Sequence, residues 1–339
     1  MRKIRGYVGF FILFTVLLSG CRHHSASSLP PESEQQQDSA SDVASVDLKR
    51  PVQNVDLDEV PEIKIKRESI YSFSLHYPER LKGRYPLILF IPGWGSVQYE
   101  DYRTLIDYLV SLGNIVLFAP EYANEYGIQK IRQELEDIYR LCSIQEHMDT
   151  SRFGVVGHSS GGGKAFAVCR YFVQKGWGTK GRFIFSMAPW FAFDMGQEEM
   201  QSIPEDTYVF MEFFGSDMTT DPRISMTTYS LLTQIPAARK TFYVYPDTGH
   251  GYPTGNRTLS QMDGVTEPLR AVIDAAFYHR TDDFMEFDSL GSDTPWQAYR
   301  EMVQPSGRYP SRCRPSSSEA VYRAVEAYDI DYCASFSAE

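Results

Sequence analysis

The chain has 339 residues, enough for one large α/β domain with additional segments and a sizeable core. Its formal net charge is −11, and no run of Lys or Arg follows the first few residues, which argues against nucleic acid as a partner. With 14% aromatic and 23% charged residues the chain is globular, and its acidity concerns solubility rather than fold.

Met1-Arg2-Lys3-Ile4-Arg5 is a basic start, and Tyr7 to Leu18 is an apolar run too short to span a bilayer comfortably. Leu18-Ser19-Gly20-Cys21 follows, which resembles the lipobox of bacterial lipoproteins; an ordinary secretory signal or a signal anchor is the alternative. The resemblance implies that residues 1–20 are a signal peptide and that lipid on Cys21 anchors an exported protein to a membrane surface. Residues 21–61 are rich in Ser, Gln, Asp, Glu and Pro and nearly free of aromatics. Such a stretch cannot bury enough apolar surface to offset chain entropy, so a flexible acidic tether is expected. Four cysteines remain after Cys21, and in an exported protein an even count suggests disulfides, here Cys142–Cys169 and Cys313–Cys333. No C-x-x-C pair or His cluster suggests a metal.

From residue 62 a catalytic domain is expected to run to 285. Ile63, Ile65, Tyr71, Phe73 and Leu75 alternate as in two opening strands, and Tyr85 to Pro92 is a near-continuous apolar run suited to a central strand. Tyr102, Leu105, Ile106 and Leu109 mark a helix, and Ile115 to Ala119 a strand. Ile131, Leu135, Ile138 and Leu141 form one stripe of a helix from Gln129 to about Cys142. Phe153 to Val156 reads as a buried strand, and helical spacing resumes from Lys164 with Ala165, Phe166, Val168, Cys169 and Phe172. Further strands are expected at Phe183–Met187, Tyr208–Phe214 and Thr241–Tyr245, with helices at Ser225–Leu232 and Glu267–Tyr278. This alternation means βαβ units and a mostly parallel sheet with ligands at the C-terminal strand edge. Residues 286–339 form a C-terminal extension with short helical patterns, expected to pack on the body.

Between the strand at Phe153 and the helix at Lys164 lies Gly157-His158-Ser159-Ser160-Gly161, a G-x-S-x-G pattern. A corner this tight strains the central residue and requires flanking glycines, and it lifts the Ser159 hydroxyl to a helix N-terminus that favours negative charge. No Gly-Lys-Ser/Thr ending follows, as a phosphate loop would need. A serine nucleophile requires a base and a group to orient it. His23 and His24 lie in the tether, His76 in an early strand and His147 in a connection, while His158 is inside the corner and His279 ends the last helix. His250, between Gly249 and Gly251 directly after a strand, remains as the base. Asp217, straight off the end of the preceding strand, is the expected orienting acid, with Asp221 in reserve and Asp247 too near His250 in sequence. The oxyanion needs two aimed N–H donors: the amide of Ser160, and that of Trp94 in a turn allowed by Gly93.

Pro92-Gly93-Trp94, Gly157 to Gly163, Ala188-Pro189-Trp190, Gly215-Ser216-Asp217 and Gly249-His250 resemble the α/β-hydrolases in order and spacing. They are most similar to the group of polyester hydrolases, cutinases and Streptomyces-type lipases, with dienelactone hydrolases and platelet-activating-factor acetylhydrolases close by. The likeness spans Tyr85 to Asp283. It implies an α/β-hydrolase fold, Trp94 as the aromatic whose amide is the donor, and Trp190 flanking the acyl or aromatic part of an ester. Ser160 departs from the Met common in polyester enzymes, and residues 286–339 have no counterpart in the group. Fewer than twenty residues separate Trp190 from the strand at Tyr208, too few for a helical cap, so an open cleft is expected. The expected activity is a monomeric serine esterase or lipase that needs no cofactor and acts on small, lipid or polymer esters. Acyl transfer or peptide cleavage on the same triad is the second reading, and a non-catalytic surface binding module the third.

Overall fold

The computed structural model describes residues 63–287, apart from 122–127, 142–143, 191, 193–194, 218, 221 and 246. Cys21, Asp221, the signal and tether, the second cysteine pair and the C-terminal extension beyond 287 therefore lie outside the described residues.

Eight strands form one sheet: β1 (Ile65–Ile70), β2 (Phe73–Pro78), β3 (Tyr85–Ile91), β4 (Ile115–Phe118), β5 (Met148–His158), β6 (Gly181–Met187), β7 (Tyr208–Phe214) and β8 (Lys240–Tyr245). Their order is β1-β2-β4-β3-β5-β6-β7-β8. β1 and β2 pair antiparallel, as do β2 and β4, and every later pairing is parallel. The chain passes from β3 to β4 on one side and returns to β5 on the other. That reversal opens a crevice beyond the carboxyl ends of β3 and β5, where open α/β sheets bind ligands.

Two layers of helix cover the sheet, which is why its central strands read as unbroken apolar runs rather than alternating ones. Leu87, Leu89, Ile91, Leu117 and Val155 face a layer made of α2 (Gln129–Leu141), α3 (Ser160–Gln174), the short α4 (Gln197–Gln201) and α5 (Pro222–Leu231). Ile88, Phe90, Val116 and Val156 face α1 (Arg103–Ser111), α6 (Asp263–Tyr278) and α7 (Asp282–Glu286). Side chains of consecutive residues along each strand thus enter opposite cores.

Several boundaries differ from those expected. α3 starts at Ser160, four residues before the apolar periodicity begins, because its first turn is the glycine run Gly161-Gly162-Gly163. These are poor helix formers chosen for clearance: a Cβ on Gly161 would sit 2.1 Å from the Ile91 carbonyl oxygen, and one on Gly162 would sit 3.1 Å from that of Met187. β5 reaches back to Met148 through the polar Asp149-Thr150-Ser151-Arg152, which carries no apolar signal. α6 begins at Asp263, four residues before the expected start at Glu267, and contains Pro268 in its second turn. α4 and α7, five residues each, are too short to show a period.

The expected Cys142–Cys169 disulfide is not formed: Cys169 is a free thiol. It lies on the sheet-facing side of α3, fully buried in the core with Phe166, Val168 and Phe172. There it serves as a small apolar residue, and burial pushes its pKa up to about 12.

Candidate active site

Ser159 is the hinge between β5 and α3. Its backbone has φ 55° and ψ −119°, a conformation that costs about 1–3 kcal/mol for a non-glycine residue and persists only where the surroundings enforce it. They do so through three backbone hydrogen bonds. The Ser159 N–H donates to the Met187 carbonyl at 2.9 Å, and the Ser159 carbonyl accepts from Gly163 N–H at 3.1 Å and Trp190 N–H at 2.8 Å. The flanking glycines are required as the sequence suggests. A Cβ on Gly157 would sit 2.3 Å from the Gly161 carbonyl oxygen. Ser159 as a residue retains 9% exposure.

Asp217 follows β7 immediately and His250 lies in the loop after β8, so parallel neighbouring strands deliver both to one edge. His250 Nδ1 is 2.7 Å from Asp217 Oδ2. Asp217 is fully buried and accepts three more hydrogen bonds: Thr219 N–H at 2.7 Å, Thr220 N–H at 3.1 Å and the Thr220 hydroxyl at 2.8 Å. Burial alone would raise its pKa. The hydrogen bond and charge of His250, with the Thr219 amide and Thr220 hydroxyl, outweigh that and hold it below the usual carboxylate value. An ionised Asp217 makes His250 Nδ1 the donor and leaves Nε2 with its lone pair outward. The structure draws no hydrogen bond from the Ser159 hydroxyl to His250 among the described residues. Asp247, the candidate set aside, is exposed and has φ 57° at the start of the His250 loop.

The loop after β3 closes over the same corner. Gly93 packs so closely that a Cβ there would lie 3.5 Å from Ser159 Cβ and 3.2 Å from the Tyr102 hydroxyl. Gly161 N–H donates to the Pro92 carbonyl at 3.2 Å, which ties this loop to the first turn of α3. Trp94 follows and is 59% exposed. Ser160 is the first residue of α3, so its N–H belongs to the set that intrahelical carbonyls cannot reach. Trp190 is half-buried, with its side chain packed against the core on the α3 side.

Four site residues escaped the sequence reading. Glu121, just beyond β4, accepts from the Ser160 hydroxyl at 3.0 Å and from Lys164 Nζ at 2.5 Å, and its own N–H donates to the Ser96 carbonyl at 2.9 Å. Both members of this ion pair are buried. The signal was present: Lys164 is a charge set between the glycines and the apolar run of α3, and Glu121 sits just past the carboxyl end of a central strand. Tyr102 and His158 are the other two. The Tyr102 hydroxyl is 2.7 Å from His158 Nδ1 and accepts from Gly93 N–H at 3.0 Å, while His158 Nε2 is 2.9 Å from the His250 carbonyl oxygen.

A family model described as Chlorophyllase matches residues 51–176, well under half of the chain. It takes in β1 through α3, including Ser159, and ends before Asp217 and His250. No curated protein matches the chain. Together with the eight-stranded, mostly parallel sheet and its flanking helices, the match decides the architecture. This is an α/β-hydrolase fold. The motif resemblance pointed within this superfamily to the polyester hydrolase and cutinase group; the family match brings in a branch of ester-hydrolysing type that the motifs did not suggest. In an α/β-hydrolase the serine at the β5–α3 corner is the place to seek a nucleophile.

Proposed function

We propose that this protein is a serine hydrolase that cleaves carboxylic esters through an acyl-enzyme on Ser159. The observation that carries the reading is the Asp217–His250 hydrogen bond at the same sheet edge as the strained Ser159 corner. Asp217 fixes the tautomer in which His250 Nε2 is basic. Ser159 Oγ attacks the ester carbonyl carbon and its proton passes to Nε2, a contact that tightens when substrate fills the crevice. The carbonyl oxygen becomes an oxyanion, received by the amides of Ser160 and Trp94. Its collapse breaks the bond to the alcohol oxygen, which takes the proton from His250. Water then repeats the cycle on the acyl-enzyme and releases the acid.

No step calls for a metal or an organic cofactor. The exposed Trp94 ring and the rim around Trp190 would meet the acyl or alcohol portion of the ester. Lipid on Cys21 and the tether of residues 21–61 would hold the domain at a membrane surface of the exporting cell. The deciding experiment is hydrolysis of p-nitrophenyl butyrate by wild type and Ser159→Ala. We expect complete loss in the variant, and equal turnover would end the proposal.

A further inference from the structure

We propose that His158, the residue before the nucleophile, is a positioning residue that holds the His250 loop and the oxyanion loop in register with Ser159 through two oppositely directed hydrogen bonds. The inference rests on the serine hydrolase reading above.

The direction of each bond follows from chemistry. The His250 carbonyl oxygen can only accept, so at 2.9 Å His158 Nε2 must carry the proton and donate it. In the neutral ring Nδ1 is then an acceptor, and the Tyr102 hydroxyl at 2.7 Å donates to it. The Tyr102 oxygen in turn accepts from Gly93 N–H at 3.0 Å. The result is one unbroken relay from the Gly93 amide through Tyr102 and His158 to the backbone of His250, with each donor matched to an acceptor.

Both ring nitrogens are engaged and the ring is buried, so His158 has no remaining group with which to act on substrate. Burial holds it neutral, with its pKa near 3, and it holds the Tyr102 phenol well above its usual range, so neither end of the relay titrates in the working range. The His158 and His250 rings lie 4.6 Å apart between centroids. A neutral neighbour at that distance adds no second positive charge when His250 takes up a proton. The far side of the His250 loop is fixed separately, by Ser216 N–H donating to the Thr248 carbonyl at 2.8 Å. Without the His158 bond, His250 would keep its hold on Asp217 but lose its hold on the elbow.

The test separates the two bonds. In His158→Gln the side-chain amide reaches the Nε2 position and can still donate to the His250 carbonyl. In His158→Asn the amide sits near the Nδ1 position, faces Tyr102 and withdraws the donor from His250. Each variant is assayed on p-nitrophenyl butyrate, with rates divided by active sites titrated to completion with a fluorophosphonate. We expect kcat to fall about tenfold to a hundredfold in His158→Asn with KM within about twofold of wild type, a split that displaced catalytic groups produce. In His158→Gln, kcat should recover to within about threefold of wild type. Wild-type kcat per site in His158→Asn, or an equal loss in both variants, would overturn the inference. If His158→Asn does not fold, His158→Met decides, since it fills the place of the ring with no donor for the His250 carbonyl: a fall of about tenfold in kcat at unchanged KM supports the inference, and unchanged kcat refutes it. Ser159→Ala, assayed on the same ester per mole of protein because it has no serine to titrate, reports on the underlying reading alone. Its full activity would retire the serine mechanism, whereas an inert Ser159→Ala beside a fully active His158→Asn would retire only the relay.

Discussion

Two polar clusters brace the Ser159 corner from opposite sides, and they are built on different principles. On the side of the proposed base, Asp217, His250, His158 and Tyr102 form a chain of directed hydrogen bonds that ends on one buried carboxylate, and His250 remains half-buried. On the other side, Glu121, Lys164 and Ser160 form a sealed ion pair beneath the first turn of α3. In the proposed mechanism the base accepts and returns a proton, so its surroundings have to tolerate a change of charge. As the proposed oxyanion donor, the Ser160 amide has only to stay where it is, and two opposite charges locked in a low dielectric hold it without any need to yield.

Changing Asp217 to Asn should break the first cluster most severely. An amide at that position can present its N–H to His250 and reverse the tautomer, and kcat on p-nitrophenyl butyrate should fall about 10⁴-fold with the fold intact by circular dichroism. Loss of less than about tenfold would mean that Asp217 does not orient the base. The second cluster should fail through stability instead. Lys164→Met takes the buried cation away from Glu121, and urea unfolding should show a loss of about 3–5 kcal/mol. Changing both partners, in Lys164→Met with Glu121→Leu, should recover most of that loss, because a buried pair adds little beyond what apolar packing supplies. If the double variant is no more stable than the single one, the pair is doing more than neutralising itself.

Acid sharpens the contrast through His158 and through His76 on β2, each held neutral by burial with a pKa of about 3 against an ordinary 6.5. Because these pKa values are depressed, the unfolded chain binds more protons between pH 6.5 and 3. Stability is therefore complete above pH 6.5 and erodes as the pH falls toward 3. Each group should account for about 2 kcal/mol by pH 5, and His76→Phe should flatten the urea midpoint against pH over that range. A slope unchanged in His76→Phe would remove that residue from the account. The smallest effect is expected at Glu212 on β7. Its side chain faces the α6 layer fully buried, and neither carboxyl oxygen has a partner among the described residues. Burial raises its pKa well above the carboxylate range, so it is a neutral acid there. Glu212→Met should stabilise the protein by about 1–2 kcal/mol in urea unfolding, and destabilisation would reveal a partner for it.

Strands and helices were legible wherever apolar periodicity was strong. β7 at Tyr208–Phe214 matches its expected span, and the β5–Ser159–α3 corner could be read from its glycines. The start of α3 could not, because a triple glycine argues against helix until the crowding at Ile91 and Met187 is known. Asp217 and His250 were singled out because each lies in the loop after a strand and the expected chemistry calls for their residue types, and the fold brings the two within hydrogen-bonding distance. Glu121, Tyr102 and the backbone role of His158 depend on contacts across 39 to 92 residues of sequence, which no local pattern encodes. The Cys142–Cys169 pairing failed for a related reason. Counting cysteines gives no direction for a side chain, and that of Cys169 points into the core.

That inward thiol offers a clock. With no solvent contact and its pKa pushed up to about 12, Cys169 can meet an alkylating reagent only after α3 has parted from the sheet. The iodoacetamide labelling rate of its peptide, followed by mass spectrometry, would then measure how often the helix behind Ser159 opens, in a folded sample and without denaturant.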